Sequence, residues 1–590
     1  MRAIFFTALS LVAATSLAEL KYTVYPGSAE NKLKVELEVV SQGDKVFFQI
    51  PNWAPGSYRY DDVWKRVSDV KAEGGVTVKT EGINPLITTW SIPATKGKSV
   101  TISYEIPVQY ANSTGHFSGP SFYMYPVGRT QEPCQVEFKF AAGTPIITGM
   151  NPVRGNQALY KVPTYDVLAD NPVTWGDYTL DTYKSFGKTH YIAYRGVPKK
   201  DVDRAYVIKA CKFVTDMEAD FFGKAVPYDR YVWHFSVNDA PDGAGGLEHL
   251  SSTEISLASG VGPGAVSVLS HEFFHLWNVK RIRSKILGPF DYTTQPQTGA
   301  LWWLEGVTDY YAHTLLGRYG WYGKNERHPD PIAKLYADAV QNLSAVRARP
   351  ARLDVSPYES SYRVRDASNG RGNSQGYQVS YYDTGWLVGM VLDIEMLDQT
   401  NGKRSLDDVE LALWDQCRDD KPGFEEGDIR RHLVRFGGYL MGTFYDDVVM
   451  KPGELPVEQQ LAKIGKELMT VDEKFGSIPF SLRVSLEDKA PRVSLSEDAG
   501  IPQGSIVTKI NGTDVTGDNA RAQTGLYRSL QRTVKAGDIL KVTLKEGEKT
   551  REINVKVSEG TRKVQRIVSV KNPTERQLAL RKVFESKKRR

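Results

Sequence analysis

The run Ser270-His271-Glu272-Phe273-Phe274-His275-Leu276-Trp277 constrains this chain more than any other stretch, because it embeds three ionisable side chains in an otherwise apolar segment. A helix over 265–279 places His271 and His275 at i and i+4, stacked on one face, so two imidazoles can grip one metal ion. Glu272 borders the same place. A carboxylate there can take a proton from a water whose pKa a bound zinc lowers toward neutrality. The alternative is two satisfied histidines on a half-buried helix, and with only nine His in 590 residues that coincidence is a poor account of the spacing.

Such a helix needs a third protein ligand. Leu301-Trp302-Trp303-Leu304-Glu305-Gly306-Val307-Thr308-Asp309-Tyr310-Tyr311 reads as a second apolar helix, and Glu305 stands among bulky apolar residues where an unpaired carboxylate is costly. Metal ligation accounts for it better than solvation. Asp309, one turn on, can accept the outer N–H of a ligating histidine and so fix its tautomer. Two His and one Glu leave a fourth position open, the arrangement of a catalytic rather than a structural zinc, so one Zn2+ per chain is expected.

The chain opens with Met1-Arg2 and an apolar run from Ala3 to Val12, followed by Ser16-Leu17-Ala18, which reads as a signal peptide over 1–18 cleaved near Ala18. No later stretch reaches the length of a bilayer span, so a protein exported to the periplasm or secreted, without stable membrane insertion, is expected. At 590 residues the chain exceeds one core. A net charge of +5 is weak, and its clearest cluster, Lys587-Lys588-Arg589-Arg590, reads as a solvated tail; a nucleic-acid partner is not expected. Three cysteines, Cys134, Cys211 and Cys417, allow at most one bridge, which excludes a disulfide scaffold.

Along the chain, 19–184 shows short alternating runs such as Leu33-Lys34-Val35-Glu36-Leu37 between Gly, Pro, Asn and Asp turns, the pattern of an antiparallel β sandwich. Within it, 48–58 carries two prolines and three aromatics and reads as a stiff loop packing on the next domain. In 185–465 a helix over 200–222 and a strand over 231–237 precede Gly245-Gly246-Leu247-Glu248-His249. Gly245 and Gly246 permit close backbone approach to a ligand, and Glu248 then points into the cleft, where an aminopeptidase captures the substrate's ammonium group. Mainly helical sequence follows to 463, interrupted by a polar loop over 366–374 and by Tyr381-Tyr382-Asp383-Thr384-Gly385 ahead of a helix over 387–397. A tyrosine hydroxyl there can hydrogen-bond an oxyanion. Strand patterns return over 470–560 around an Asn511-Gly512 turn, suiting a small, partly open barrel, and 561–590 reads as a linker with a short helix over 574–584 and the basic tail.

The run His271 to Arg283, with Trp303-Leu304-Glu305-Gly306 and Gly245-Gly246-Leu247-Glu248-His249, resembles the glycyl aminopeptidase family, gluzincin metallopeptidases with a C-terminal PDZ module. The resemblance implies an α+β multidomain chain: an N-terminal β sandwich, a thermolysin-like peptidase domain with a helical second part, and a PDZ-like barrel. It implies zinc on His271, His275 and Glu305, Glu272 as general base, Glu248 as amino-terminus anchor, and Tyr382 as oxyanion stabiliser. It also implies peptide substrates with a free N-terminus and small first residues. Thr384 and Ser284 depart from the pattern, which often has Lys and Pro there, and no carboxylate-binding Gly-rich loop of the PDZ type stands out. Two other readings remain open: an endopeptidase with the same site, and a non-catalytic binding protein on a protease scaffold.

Overall fold

The computed structural model describes residues 19–587 apart from 58–59, 84, 197–201, 225, 239–244, 259–262, 323–329, 363–378, 420, 484–489, 497–499, 517–526, 528–529, 532 and 548. The expected signal peptide, the polar loop over 366–374 and the last three residues of the basic tail therefore lie outside the described residues. The chain divides into two compact units, one of Met1–Asp177 with Pro289–Gln295, the other of Tyr178–Gly288 with Pro296–Arg590.

The first unit is β-rich. Lys32–Val40 alternates buried and half-buried positions along its length, as a strand with one face on a core must. Three sheets of seven, four and four strands share a single core that includes Val35, Phe48, Trp90, Phe117 and Tyr104. The arrangement is not purely antiparallel as expected: Leu20–Pro26 pairs in parallel with Cys134–Phe138, because the first strand enters the middle of the large sheet. The proline-rich loop finds its partner inside this unit. Trp53 donates its indole N–H to the Asp291 carbonyl at 2.8 Å, and Asn52 N–H bonds the Tyr292 carbonyl at 2.9 Å. Segment 289–295, which local sequence assigns to the peptidase domain, thus brings Phe290 and Tyr292 to the first unit's core.

The second unit begins with Thr179–Ser185, paired antiparallel with Lys188–Gly196, so the boundary falls ahead of residue 184. These strands open a five-stranded sheet in the order Thr179–Ser185, Lys188–Gly196, Arg230–Asn238, Ser252–Ala258, Gly245–Glu248. Its last strand runs antiparallel and forms an edge. The helices Arg204–Phe221 and Pro263–Phe274 follow, the second held by Phe273 stacked on Trp233 of the sheet and Trp277 stacked on Phe222. Helices Thr308–Arg318, Pro331–Arg347, Tyr381–Gln399 and Leu406–Cys417 build the helical part.

Near the C-terminus, strands Phe480–Arg483, Arg492–Ser496, Ile506–Ile510, Ile539–Glu546 and Lys549–Lys556 enclose a separate small core around Val507, Val542 and Leu544, with Asn511 and Gly512 both at positive φ in the predicted turn. Residues 561–573 are not a linker: Ser558–Ser569 pairs with Lys466–Ser477 over its whole length. Nor is the helix Glu575–Phe584 loosely attached. Phe584 is fully buried and its carbonyl accepts the Nε–H of Arg318 at 3.1 Å, while Tyr336 bonds Glu585 at 2.8 Å. Cys134, Cys211 and Cys417 are buried and free. No helix among the described residues is long and apolar enough to cross a membrane.

Candidate metal centre

The Pro263–Phe274 helix is apolar on nearly every side, with Val266, Leu269, Phe273 and Phe274 all fully buried. Its ionisable groups are therefore desolvated and need partners. The helix ends one residue before His275, but His275 N–H still bonds the His271 carbonyl at 3.3 Å, so the i, i+4 stacking survives the helix end. The chain then turns sharply. Val279 sits at φ +130°, a conformation strained for a β-branched residue, and the preceding Asn278 carbonyl faces His275 Nδ1 at 2.7 Å. That carbonyl can only accept, so His275 Nδ1 carries the proton and Nε2 presents its lone pair.

Glu305 arrives on a wide π-helical turn, Trp302–Val307, rather than on regular α-helix. Two glycines make this possible. A Cβ on Gly306 would stand 2.5 Å from Gly385 Cα and from the Tyr381 carbonyl, and one on Gly385 would stand 2.3 Å from the Trp302 carbonyl. The backbones of the Glu305 turn and the Tyr381–Gln399 helix are thus in direct contact. Asn278 reinforces the arrangement, donating from Nδ2 to the Trp303 carbonyl at 3.1 Å and to Thr308 Oγ1 at 2.9 Å.

These elements bring three donor atoms into a triangle: His271 Nε2 to His275 Nε2 is 2.9 Å, His275 Nε2 to Glu305 Oε2 is 3.2 Å, and His271 Nε2 to Glu305 Oε2 is 3.4 Å. A tetrahedral zinc with bonds of about 2.0–2.1 Å holds its ligands roughly 3.3 Å apart, so the spacing fits that ion. The chemistry fits as well. Two imidazole nitrogens aimed at each other need a proton or a cation between them. Burial alone disfavours charge on either ring, yet Asp309 and Glu305, placed to accept from His271, and the charge of Glu305 beside His275, raise both above the usual histidine range. Burial likewise works against ionised Glu305, but His275 and His271 hold it down at about 2. A carboxylate that draws protons onto two histidines draws a divalent cation for the same reason.

Asp309 Oδ1 lies 3.4 Å from His271 Nδ1, at the edge of hydrogen-bond reach on the side of the ring away from the triangle. Glu272 is buried, with Oε2 unpaired; burial pushes its carboxyl up to about 7, against the pull of His271 and His275. Glu248 and Gly246 share one face of the edge strand. That face meets the helix: donor atoms of Glu248, Glu272 and His275 all lie within 4.8 Å of one another. A Cβ on Gly246 would stand 2.3 Å from Glu272 Cγ, whereas one on Gly245 would meet nothing within 4 Å.

Tyr381 and Tyr382 occupy the first turn of their helix behind the Ser380 cap, whose hydroxyl accepts from Asp383 N–H. Tyr382 is 36% exposed as a residue, but its ring stands 6.0 Å from that of His271, where desolvation of the hydroxyl together with Glu305 raises it above the usual tyrosine range and keeps it a donor. Sequence reasoning missed Asn278, Gly385 as a packing contact, and Glu218, whose carboxylate accepts from Ser270 at 2.6 Å beneath the helix. The buried-charge argument that found Glu305 applies equally to Glu218. Nothing local marks Gly385.

Residues 264–388 match the family model described as M61 glycyl aminopeptidase, and residues 21–177 match the peptidase M61 N-terminal domain. No curated protein matches the chain. Among solved structures, an aminopeptidase N family protein from Idiomarina loihiensis is 20% identical with a TM-score of 0.70, covering 95% of this chain and 99% of its own, and so shares the fold. An M1 zinc metallopeptidase from Deinococcus radiodurans is 13% identical with a TM-score of 0.43, over 75% of this chain and 94% of its own. Leukotriene A4 hydrolase from Saccharomyces cerevisiae is 12% identical with a TM-score of 0.44, over 76% and 70%.

Proposed function

Both matched domains, in this order along one chain, make this protein a member of the M61 glycyl aminopeptidase family, and on that premise we propose that it is an exported zinc-dependent aminopeptidase acting on peptides with a free N-terminus. The observation that carries the reading is the triangle of His271, His275 and Glu305 with Glu272 and Glu248 on its open side. The three residues would hold one zinc. When bound there, zinc supplies Lewis acidity to a water and to the scissile carbonyl.

The protein's own groups do the rest. Glu272, desolvated and raised toward neutrality, takes the proton of the attacking water at its carboxylate and returns it to the leaving amide nitrogen. Glu248 binds the substrate's α-ammonium and so measures one residue back from the scissile bond. Tyr382 donates its hydroxyl hydrogen to the oxyanion that develops at the carbonyl. Asp309 orients His271, as the Asn278 carbonyl orients His275. The edge strand Gly245–Glu248 pairs on one side only among the described residues, which leaves backbone groups for an extended peptide. A preference for small first residues rests on the family description, export rests on segment 1–18, and the PDZ-like reading of 470–560 rests on its separate β core.

The test is an assay on a glycyl or alanyl peptide with a free amino group and on its N-acetylated form, with chelator and with zinc restored. Cleavage of the free peptide alone, lost with chelator and regained with zinc, is the expected result. Equal cleavage of both peptides would transfer the site to an endopeptidase, and activity unaffected by metal removal would end the zinc reading.

A further inference from the structure

The helix Thr308–Arg318 carries a second ionisable residue one turn beyond Asp309 on the same face: His313. Its Nε2 lies 3.7 Å from Asp309 Oδ1, the same oxygen that stands 3.4 Å from His271 Nδ1. Its Nδ1 bonds Asp338 Oδ2 at 2.7 Å. Asp338 belongs to the neighbouring helix Pro331–Arg347 and is 4% exposed; its other oxygen pairs with Lys334, one turn earlier on that helix. The His313 ring is set edge-on to the fully buried Trp386 of the Tyr381–Gln399 helix, at 6.5 Å between centroids. Five side chains from three elements thus form one file of alternating charge: Lys334, Asp338, His313, Asp309, His271.

Partial burial alone would favour the neutral form of the His313 ring. Here burial is outweighed by Asp309 and Asp338 on either side, which raise His313 above its ordinary value. Nδ1 is bonded to Asp338 and Nε2 faces Asp309 across a 3.7 Å ion-pair contact, and the ring cannot turn without breaking the bond to Asp338. Asp309 Oδ1 lies between the two rings, 3.7 Å from His313 and 3.4 Å from His271. A carboxylate free to rotate would present either oxygen to His271 or neither.

We propose that His313, held by Asp338, is a positioning residue for the metal centre: it fixes the carboxylate of Asp309 and, through it, the ring of His271. The inference rests on the zinc reading given above. Its consequence lies in metal retention and turnover rather than in substrate binding, because none of the file beyond His271 reaches the edge strand that carries Glu248. Partners of metal-bound histidines typically contribute 10–100-fold to metal affinity, and a residue acting one step further out is expected near the lower end, about tenfold.

The experiment measures the zinc dissociation constant by chelator competition, with kcat, KM and melting temperature, for wild type, His313→Gln, Asp309→Asn and the double variant. His313→Gln is expected to weaken zinc binding about tenfold and to lower kcat, with KM for a free-amino peptide unchanged. In the Asp309→Asn background the same substitution should add little, since its effect passes through Asp309. Unchanged zinc affinity in His313→Gln, or an effect of equal size with and without Asp309, would overturn the proposal. If His313→Gln fails to fold, Asp338→Asn, which keeps the ring and Lys334, takes its place in the same cycle. Wild type that binds no zinc at all would instead refute the zinc reading itself.

Discussion

Replacing Gly246 by Ala tests the site with a single methyl group. The added Cβ would stand 2.3 Å from Glu272 Cγ, 2.4 Å from Cδ and 2.5 Å from Oε1, where ordinary contact needs more than 3.4 Å. Something must move by about 1 Å. If the edge strand retreats, Glu248 retreats with it, since the two residues share one face. If Glu272 swings away, the proposed base leaves the place where it would meet the attacking water. Misplacement on that scale at a reacting centre costs on the order of 10²-fold in rate. Gly245→Ala is the internal control, since its Cβ meets nothing within 4 Å and Gly245 is exposed. The assay is kcat and KM on an alanyl peptide with bound zinc measured in parallel. Gly246→Ala should lose roughly 100-fold in kcat/KM with zinc retained, and Gly245→Ala should stay within about threefold of wild type. Equal activities for the two variants would refute the close approach of strand and helix.

Glu272→Gln should retain zinc and lose about 10²–10⁴-fold in kcat, the range for removing a general base; a near-wild-type rate would end its assignment. Glu410 is fully buried with neither oxygen in an aligned hydrogen bond, and burial pushes it from 4.5 up to about 8. A carboxyl raised on folding favours the native state below its unfolded value, and that advantage is lost as pH rises from 4.5 through about 8. Glu410→Gln is therefore expected to gain on wild type in denaturant titrations by up to about 4 kcal/mol between about pH 5 and 8, and parallel stability curves would refute the shift. Phe584→Ala removes a fully buried ring beneath Arg318 and should cost roughly 3–5 kcal/mol in the same titration, whereas a loss under about 1 kcal/mol would return the C-terminal helix to a loosely held tail.

The centre was legible where chemistry repeats at the helical period. His271 and His275 are recognisable because i, i+4 spacing stacks two rings on one face, and Glu305 because a carboxylate among tryptophans needs a partner. Other features depend on residues far apart in the chain. Pro289–Gln295 gives no local sign that its aromatics serve the first unit, and 561–573 looked like a linker because Ser558–Ser569 is largely polar and finds its partner strand some ninety residues earlier. Gly385 shows the difference most clearly. In Tyr382-Asp383-Thr384-Gly385 it reads as part of a short pattern in which Thr384 is the departure. In space Gly385 lies against Gly306 and the Trp302 carbonyl, and that contact sets the distance from the Tyr381–Gln399 helix to the π-helical turn bearing Glu305. Thr384 is buried and takes no part in the glycine contact. The departure at 384 thus leaves in place the spacing that brings Tyr382 to the face of His271, and the tyrosine's approach depends on the glycine beside it.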